Sequence, residues 1–435
     1  MELRRVDPEF IKSDIKLTIG ILVSNQIKYI RRGLEAIKPL LEAVPSELIA
    51  VDTVGEEKSD GSLKVVKEYT DKIYHFDWID DFAAARNVAM DHAKGEWFMF
   101  FDDDEVFDDV TELIGFFKTE ECEKYYSGSY FVANYRDEEH YQKDVVTRLI
   151  RRTGDTRFEG RIHEHFNIAY SPEKQFNTFV HHYGYMFLTK EQFEEKNRRN
   201  LRLLEKELEA NGRSLELYVH IVQQLMVPDP KKALERCNEY LADPDIQTEL
   251  DTPLGQWLIT AKLRITVILG NYRDILECEK QIKENYGLSE AARLVTDHRV
   301  AFAAFREQDI KTALDRARDY FKQYEWLKSH EDERIRQAII DMASFLNGER
   351  LYIVTRIAAV SELAEGTAEN AYAFVTGLDP EFCEDFEDLR NLTEYTVGKL
   401  KDKEKLLDHY RRFYREEFFT DPGLFKFLPD RVRNA

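Results

Sequence analysis

The stretch that decides the fold is Trp97-Phe-Met-Phe-Phe-Asp102-Asp103-Asp104-Glu105. Five apolar residues in a row predict a strand that is buried on both faces. The run ends abruptly in carboxylates, which repel one another unless a cation compensates their charge. Carboxylate oxygens suit Mg²⁺ or Mn²⁺, and such a cation would bridge a diphosphate. The stretch therefore predicts a buried strand that ends at a cation site, although an acidic loop without a ligand is the alternative.

The segments before this strand alternate between two kinds of pattern. Short apolar or β-branched runs at residues 17–23, 48–51 and 72–76 predict strands. Helical patterns occupy residues 27–43 and 83–93. Strands alternating with helices predict a mainly parallel, Rossmann-like α/β sheet with helices on both faces. In such sheets ligands bind beyond the carboxyl ends of the strands.

Polar residues follow the first two strand runs at the predicted binding edge. Ser24 and Asn25 come directly after the first run, and Asp52 ends the second. These polar residues are therefore candidates for contacts with a ligand at that edge. The alternative for Asp52 is a helix N-cap or a turn residue.

The chain changes character near residue 190, where helical periodicity replaces the strand patterns. Turns at Pro228, Gly270, Gln308 and Gly348 are spaced 42, 38 and 40 residues apart. Each turn follows an apolar helical segment, at residues 215–226, 256–269, 295–305 and 335–346. Paired helices at this period stack into a solenoid, and the turn pattern resembles a tetratricopeptide repeat. We expect an α/β domain over residues 1–198 and an all-α helical-repeat domain over residues 199–435, with an irregular helical bundle as the alternative for the second.

Composition excludes several classes of partner. The chain of 435 residues has a net charge of −21, which disfavours nucleic acid and anionic membrane surfaces. Its four cysteines form no CxxC pair, so a disulfide framework is not expected and a reducing compartment fits. No apolar run approaches ~18 residues and the first residues lack the apolar core of a secretory signal. We expect a cytoplasmic protein with no membrane span.

Six segments together resemble the family 2 glycosyltransferases of the GT-A fold, among them residues 19–34, the family's first strand and helix. Residues 102–105 resemble the DxD motif in its D-A-D-E form, and residues 78–87 resemble W-x-D-D-F-x-x-A-R-N. Residues 158–164 resemble F-x-G-x-V-H-E, and residues 182–185 resemble H-x-G-Y. The resemblance covers residues 17–185 in the family's order. Two departures occur: Gln26 stands where the family has Glu, and extra residues separate Thr53 from Ser59 in the segment that resembles V-D-T-G-S-x-D-G-T.

The resemblance implies a set of donor-binding residues. Ser24, Asn25 and Asp52 would contact the nucleoside, and Arg86 would face the diphosphate. At the acidic strand end, Asp102 and Asp103 would contact the nucleotide sugar. The implied ligands of Mn²⁺ or Mg²⁺ are Asp102, Asp104 and His182. The match to H-x-G-Y selects His182 over His181. A solvated helix charge is the alternative for Arg86, and a half-buried structural histidine is the alternative for His182.

The resemblance also implies a catalytic base. Glu164 is the candidate, because it lies in the segment that follows the donor-binding half of the domain. His163 is its competitor, since an imidazole titrates near neutral pH. The alternative is that the pair only orients a loop. A zinc hydrolase is not expected, because His163-Glu164-His165 lacks the H-E-x-x-H spacing.

The α/β GT-A domain followed by helical repeats resembles the peptide S-glycosyltransferases that modify glycocin-type bacteriocins, and their bacterial relatives. This implies an inverting, metal-dependent transfer of a hexose from a nucleotide sugar, expected to be UDP-linked, to a peptide or protein side chain. The repeats would hold the acceptor or pair two copies as a homodimer. Two alternatives stay open: a glycan acceptor, and a repeat scaffold with an inactive GT-A domain.

Overall fold

The computed structural model describes residues 8–411 except 136, 139–140, 169–170, 187–188, 271, 378–386, 402–403, 406–407 and 409–410. The chain divides into two compact units, Met1–Gly212 and Arg213–Ala435. The predicted boundary between residues 198 and 199 falls inside the helix Lys190–Asn211, whereas the two units meet after Gly212. That the units are domains with separate tasks stays a prediction.

The first unit contains a mixed sheet of eight strands in the order β3-β2-β1-β4-β7-β6-β10-β5, and β8 pairs separately with β9. The strands are β1 (Leu17–Val23), β2 (Ser46–Asp52), β3 (Ile73–His75), β4 (Trp97–Asp102), β5 (Glu105–Phe107), β6 (Ser127–Tyr135), β7 (Tyr141–Arg151), β8 (Phe158–Glu159), β9 (His165–Phe166) and β10 (Glu173–His182). The strands β3, β2, β1 and β4 run parallel, and β7 is antiparallel to both β4 and β6. The parallel half agrees with the sequence prediction.

Helices cover both faces of this sheet. The helices of the first unit are α1 (Ile30–Ala43), α2 (Ser62–Val66), α3 (Phe82–His92), α4 (Thr111–Lys118) and α5 (Lys190–Asn211), of which α1, α3 and α4 pack on the strands. Along β4, Trp97, Met99 and Phe101 pack in the core with α1 and α4, while Phe98 and Phe100 pack in the core with α3. Alternate side chains of a strand point to opposite faces, so a strand between two helical layers must be apolar throughout. The predicted α/β class, a mixed sheet with helices on both faces, is confirmed.

The second unit is helical. Its helices are α6 (Leu215–Met226), α7 (Pro230–Leu241), α8 (Pro253–Ile268), α9 (Ile275–Asn285), α10 (Glu290–Arg306), α11 (Ile310–Ser329), α12 (Glu331–Arg336), α13 (Met342–Asn347), α14 (Glu349–Glu365), α15 (Ala368–Thr376) and α16 (Glu387–Val397). The predicted all-α class is confirmed, and the likeness to tetratricopeptide repeats stays a prediction. No helix in the described part of the chain is both long and apolar enough to cross a membrane.

One predicted helix is wrong. The segment 335–346 is not continuous, because α12 ends at Arg336 and α13 begins at Met342. Between them Asp341 has φ +67°, a left-handed conformation that cannot continue a right-handed helix. Its carboxylate accepts a hydrogen bond from Arg264 at 3.0 Å, which ties this turn to α8.

Candidate active site

Three parallel strands end at the same edge of the sheet. In their register Val23 of β1 pairs with Asp52 of β2, and Leu22 of β1 pairs with Asp102 of β4. Ser24, one residue beyond β1, therefore lies between the two carboxylates. The predicted convergence of these polar residues follows directly from parallel pairing, since parallel strands present their carboxyl ends at one edge.

Asp103 is turned inward and holds the end of β1. Its Oδ2 accepts hydrogen bonds from the Ser24 backbone N–H at 2.5 Å and from the Ser24 hydroxyl at 2.9 Å. Burial and the neighbouring charge of Asp104 raise the pKa of Asp103 to about 8, although the bonds from Ser24 lower it. Asp103 therefore links the ends of β4 and β1, and both hydrogen-bond donors of Ser24 are used in this contact.

Asp102 belongs to a buried cluster of charges with two arginines. Arg86 Nη2 donates to Asp102 Oδ1 at 2.7 Å, and Arg148 Nη1 lies 3.5 Å from Asp102 Oδ2. Arg148 also donates to Glu105 at 2.9 Å, and Glu105 accepts the Asp102 backbone N–H. Burial would raise the pKa of Asp102, but the two guanidinium groups lower it well below its usual range. Asp102 is therefore ionised.

The ring of Phe100 supports both arginines. The guanidinium carbons of Arg86 and Arg148 lie 4.3 and 4.4 Å from its centroid. Stacking on an aromatic face lets a buried guanidinium keep its charge and its planar orientation. Because Phe100 is fixed in β4, the strand that carries the carboxylates also positions their cations.

Asp104 faces His182, which lies far along the chain at the end of β10. His182 Nε2 is 3.5 Å from Asp104 Oδ1, and its Nδ1 is 2.5 Å from Asn134 Oδ1. Burial would lower the pKa of His182, but Asp104 and the other carboxylates raise it. The amide oxygen of Asn134 orients the ring so that Nε2 is the nitrogen nearest Asp104, which is how metal-binding histidines are commonly fixed.

The predicted metal ligands are only partly assembled. Among the described residues no group of three His, Cys, Asp or Glu side chains is arranged to hold a metal ion. The oxygens of Asp102 face arginines, whereas Asp104 and His182 converge. Gly184 borders their oxygen and nitrogen: a Cβ there would lie 2.4 Å from Asp104 Oδ2 and 2.7 Å from His182 Nε2. A carboxylate and an imidazole, completed by diphosphate oxygens and water, fit Mn²⁺ or Mg²⁺.

Asp52 and Asn25, the residues predicted to contact a nucleoside, both bind the backbone of the loop after β2. Asp52 Oδ1 accepts the backbone N–H groups of Val54 and Gly55, and its Oδ2 lies 3.0 Å from His75 Nδ1. Burial would raise the pKa of Asp52, but these hydrogen bonds lower it. Asn25 bonds the backbone of residues 58 and 60, so it fixes the loop after β2. His75 is a neighbour of Asp52 that the motifs did not indicate.

Glu164 joins the cluster through Arg86. Arg86 Nε donates to Glu164 Oε1 at 2.6 Å, so one guanidinium bridges Glu164 and Asp102. Glu164 is 12% exposed in its side chain. His163 is exposed and has φ +57°, which turns the backbone between Ile162 and Glu164. The structure thus brings Glu164 into the charged cluster.

Besides His75, three residues beside the predicted site escaped sequence reasoning. Arg148 lies in the strand-like run of residues 145–150, where a cation is out of place and could have been noticed. Asn134 has a sequence environment typical of any strand residue. Lys196 lies in α5 with its ammonium 3.2 Å from the Gly184 carbonyl oxygen. The charged run around it gave no signal that this lysine differs from its neighbours.

Known proteins share parts of this sequence. Residues 18–194 match the model of the family described as Glycosyl transferase family 2. The chain is 26% identical over 298 residues to the SPbeta prophage-derived glycosyltransferase SunS of Bacillus subtilis strain 168, covering 64% of this chain and 67% of that protein. A TPR repeat-containing protein of Synechococcus elongatus is 31% identical over 90 residues, which is 21% of each chain.

Two solved structures show distant likeness. TarS of S. aureus, residues 1–349 in complex with UDP-GlcNAc, has a TM-score of 0.31 and 13% identity, covering 73% of this chain and 92% of that one. A mannosyltransferase of Pyrobaculum calidifontis in complex with GDP-Man and Mn²⁺ has a TM-score of 0.28 and 13% identity, covering 59% and 83%. At these scores neither structure bears on the ligands of this chain.

Proposed function

We propose that this chain, a glycosyltransferase whose residues 18–194 match the family 2 model, moves a hexose from a UDP-sugar to a peptide or protein side chain with inversion. One observation carries the proposal: a single guanidinium, Arg86, bridges Glu164 at 2.6 Å and Asp102 at 2.7 Å. The bridge holds a candidate base beside the carboxylate end of β4. A transferase needs these two functions, proton removal and donor binding, next to each other.

The donor lies along the edge where β1, β2 and β4 end. In the proposal the nucleoside contacts the segment of Ser24, Asn25 and Asp52, and the diphosphate lies toward Arg86 and Asp104. Asp52 keeps its charge through two backbone N–H groups, so it can accept a further hydrogen bond from a base or ribose. The choice of UDP rests on the resemblance of the motifs to the family.

A divalent cation, Mn²⁺ or Mg²⁺, would be held by Asp104 and His182, and it would neutralise charge on the departing diphosphate. Asp102 would join them if the diphosphate drew its arginines away. Until then Arg86 and Arg148 balance the charge of Asp102.

The transfer itself is a single displacement. The acceptor hydroxyl or thiol attacks the anomeric carbon, the bond from that carbon to the diphosphate oxygen breaks, and the diphosphate leaves with the electron pair. Glu164 takes the acceptor's proton as the new bond forms. Because Arg86 engages Oε1, Oε2 is the atom that receives the proton. Attack opposite the leaving group inverts the anomeric carbon.

The helical unit is assigned to the acceptor. Stacked helix pairs form concave surfaces that hold extended peptides, and the peptide acceptor of this proposal rests on that architecture and on the motif resemblance. Pairing of two copies through the same unit stays a prediction, and sedimentation of the purified chain would measure it.

Glu164→Gln tests the base. The amide keeps the shape of the side chain but cannot take a proton, so we expect transfer to fall roughly 10²–10⁴-fold while the affinity for UDP, measured by calorimetry, stays within a few-fold. Glu159→Gln is the matched control, because Glu159 is exposed on the same segment, and it should be silent. If Glu164→Gln works at nearly the parent rate and His163→Ala is inactive, the histidine is the base.

A further inference from the structure

The helix α5 carries six basic residues, and two of them differ from the rest. Lys190 and Arg198 pair with Glu194, and Arg202 and Lys206 pair with Asp80. Lys196 and Arg199 form no ion pair with a carboxylate in the part of the chain that the structure describes. The chain contains 83 acidic against 62 basic residues, so a shortage of carboxylates does not explain these two exceptions.

Both exceptions are half-buried and lie on one face of the helix, three residues apart. The ammonium of Lys196 donates to the Gly184 carbonyl oxygen at 3.2 Å and lies 3.4 Å from the centroid of the Tyr185 ring. The guanidinium of Arg199 donates to Asn200 Oδ1 and lies 5.6 Å from the ring of Phe82. Burying a cation is costly without a charged partner, which leaves both groups suited to an anion.

Gly184 connects Lys196 to the candidate metal site. Its carbonyl accepts the lysine, and the space where its side chain would be is bordered by Asp104 and His182. Burial lowers the pKa of Lys196 to about 8, while the charge of Asp104 acts to raise it. The Lys196 ammonium is therefore separated from the side chains of Asp104 and His182 only by the backbone of Gly184.

We propose that Lys196, assisted by Arg199, binds the diphosphate of the nucleotide sugar. This inference rests on the proposed function, and it adds a side chain from α5 to the donor site. As the bond from the anomeric carbon breaks, the diphosphate oxygen keeps the electron pair, and the Lys196 ammonium donates a hydrogen bond to the phosphate oxygens without transferring its proton. A hydrogen-bond donor that already points to the atoms on which negative charge develops stabilises the transition state more than the ground state.

The test compares two ligands that differ only in their phosphates. Calorimetry on the full chain measures the affinity for UDP and for uridine, with saturating Mg²⁺ and again with excess chelator. The variants are Lys196→Gln, Lys196→Arg and the control Lys190→Gln, a lysine of the same helix whose side chain is 84% exposed. Thermal melting of each variant checks the fold.

We expect Lys196→Gln to weaken the affinity for UDP roughly 10- to 100-fold, because one charge-assisted hydrogen bond is lost. The affinity for uridine should stay within about 2-fold of the parent's. The affinity of Lys196→Arg for UDP should stay within about 3-fold of the parent's, and the affinity of the control Lys190→Gln should equal the parent's. Unchanged UDP binding in Lys196→Gln overturns the inference, as does an equal loss for UDP and uridine, which indicates a structural role. A parent chain that binds neither UDP nor any other nucleoside diphosphate overturns the proposed function itself.

Discussion

Arg148 shows how the site depends on balanced charges at the scale of single residues. Its side chain is 12% exposed and it contacts Glu105, whose side chain is 1% exposed. Burial raises the pKa of Glu105, while Arg148 acts to lower it. A buried pair of this kind adds little net stability, but removing one partner leaves an uncompensated charge.

Arg148→Met should therefore destabilise the first unit by about 3–5 kcal/mol, because Glu105 loses its cation. The double variant Arg148→Met with Glu105→Gln removes the stranded charge and should recover a large part of that loss. Urea unfolding followed by circular dichroism measures both. The single variant Glu105→Gln completes the cycle. If the double variant loses as much free energy of unfolding as the two single variants lose together, the two side chains are not coupled and the argument fails.

Single residues were predictable where a motif fixed the backbone around them. Asp52 and Asp102 lie at the predicted strand ends because parallel pairing places them there, and Asp104 follows in the turn between β4 and β5. What each carboxylate contacts was not predictable. Asp103 turns inward to Ser24 while Asp104 faces His182, and this alternation depends on side chains that are distant in sequence.

At the scale of elements, the position of α1 is set by a glycine. A Cβ on Gly33 would lie 2.5 Å from the Glu105 carbonyl oxygen, a backbone atom that cannot move alone. The helix therefore approaches the turn between β4 and β5 as closely as the backbone permits, and it supports the acidic segment from behind.

Gly33→Ala should cost about 1–3 kcal/mol through overpacking and should reduce turnover, since the displaced turn carries Asp104. Gly115→Ala in α4 is the matched control: nothing lies within 4 Å of its added Cβ, so the better helix propensity of alanine should stabilise by about 0.5–1 kcal/mol. Thermal melting of the pair gives the comparison. Equal melting temperatures would contradict the close packing of α1.

His298 makes α10 sensitive to acid. Its Nε2 donates to the Arg350 carbonyl oxygen at 3.1 Å, and burial, with the charges of Arg299 and Arg350, lowers its pKa from 6.5 to about 3. The folded state thus holds the neutral ring, whereas the unfolded chain takes up a proton below pH 6.5. The contribution of the neutral His298 ring to the stability of the fold is therefore fully present above pH 6.5 and is lost as the pH falls toward 3.

Between pH 7 and pH 5 the free energy of unfolding should fall by about 2 kcal/mol through His298 alone, at ~1.4 kcal/mol per pH unit below 6.5. His298→Gln keeps a hydrogen-bond donor for the carbonyl and cannot titrate. The free energy of unfolding of this variant should therefore fall by about 2 kcal/mol less than the parent's between pH 7 and pH 5. Urea unfolding at both pH values measures the difference. Parallel curves for the parent and the variant would show that this histidine is not buried in its neutral form.

Elements were predictable where the period was unambiguous and long. The run at residues 97–101 and the helix at 215–226 appear as predicted, because each has one hydrophobic pattern over its length. The break in the segment 335–346 was not visible, since the left-handed Asp341 is stabilised by Arg264, a residue 77 positions away. Contacts at such separations leave no local pattern.

The whole molecule combines an α/β unit that carries the candidate site with a helical unit. The order of the two classes was readable from the change of period near residue 190. The boundary was not, because α5 continues the helical pattern while belonging to the first unit, to which it contributes Lys196 and the partners of Asp80. A helical period alone cannot assign a helix to one unit or the other.

The central claim is that this chain uses Asp104 and a cation to release a nucleoside diphosphate from a sugar donor. The direct measurement is UDP release from UDP-hexoses with Mn²⁺ and a peptide acceptor, for the parent, Asp104→Asn and the exposed control Asp71→Asn. We predict cation-dependent release by the parent and the control, and a loss of roughly 10²-fold or more in Asp104→Asn, without a change in melting temperature. Release that survives both the Asp104 substitution and excess chelator would contradict the claim.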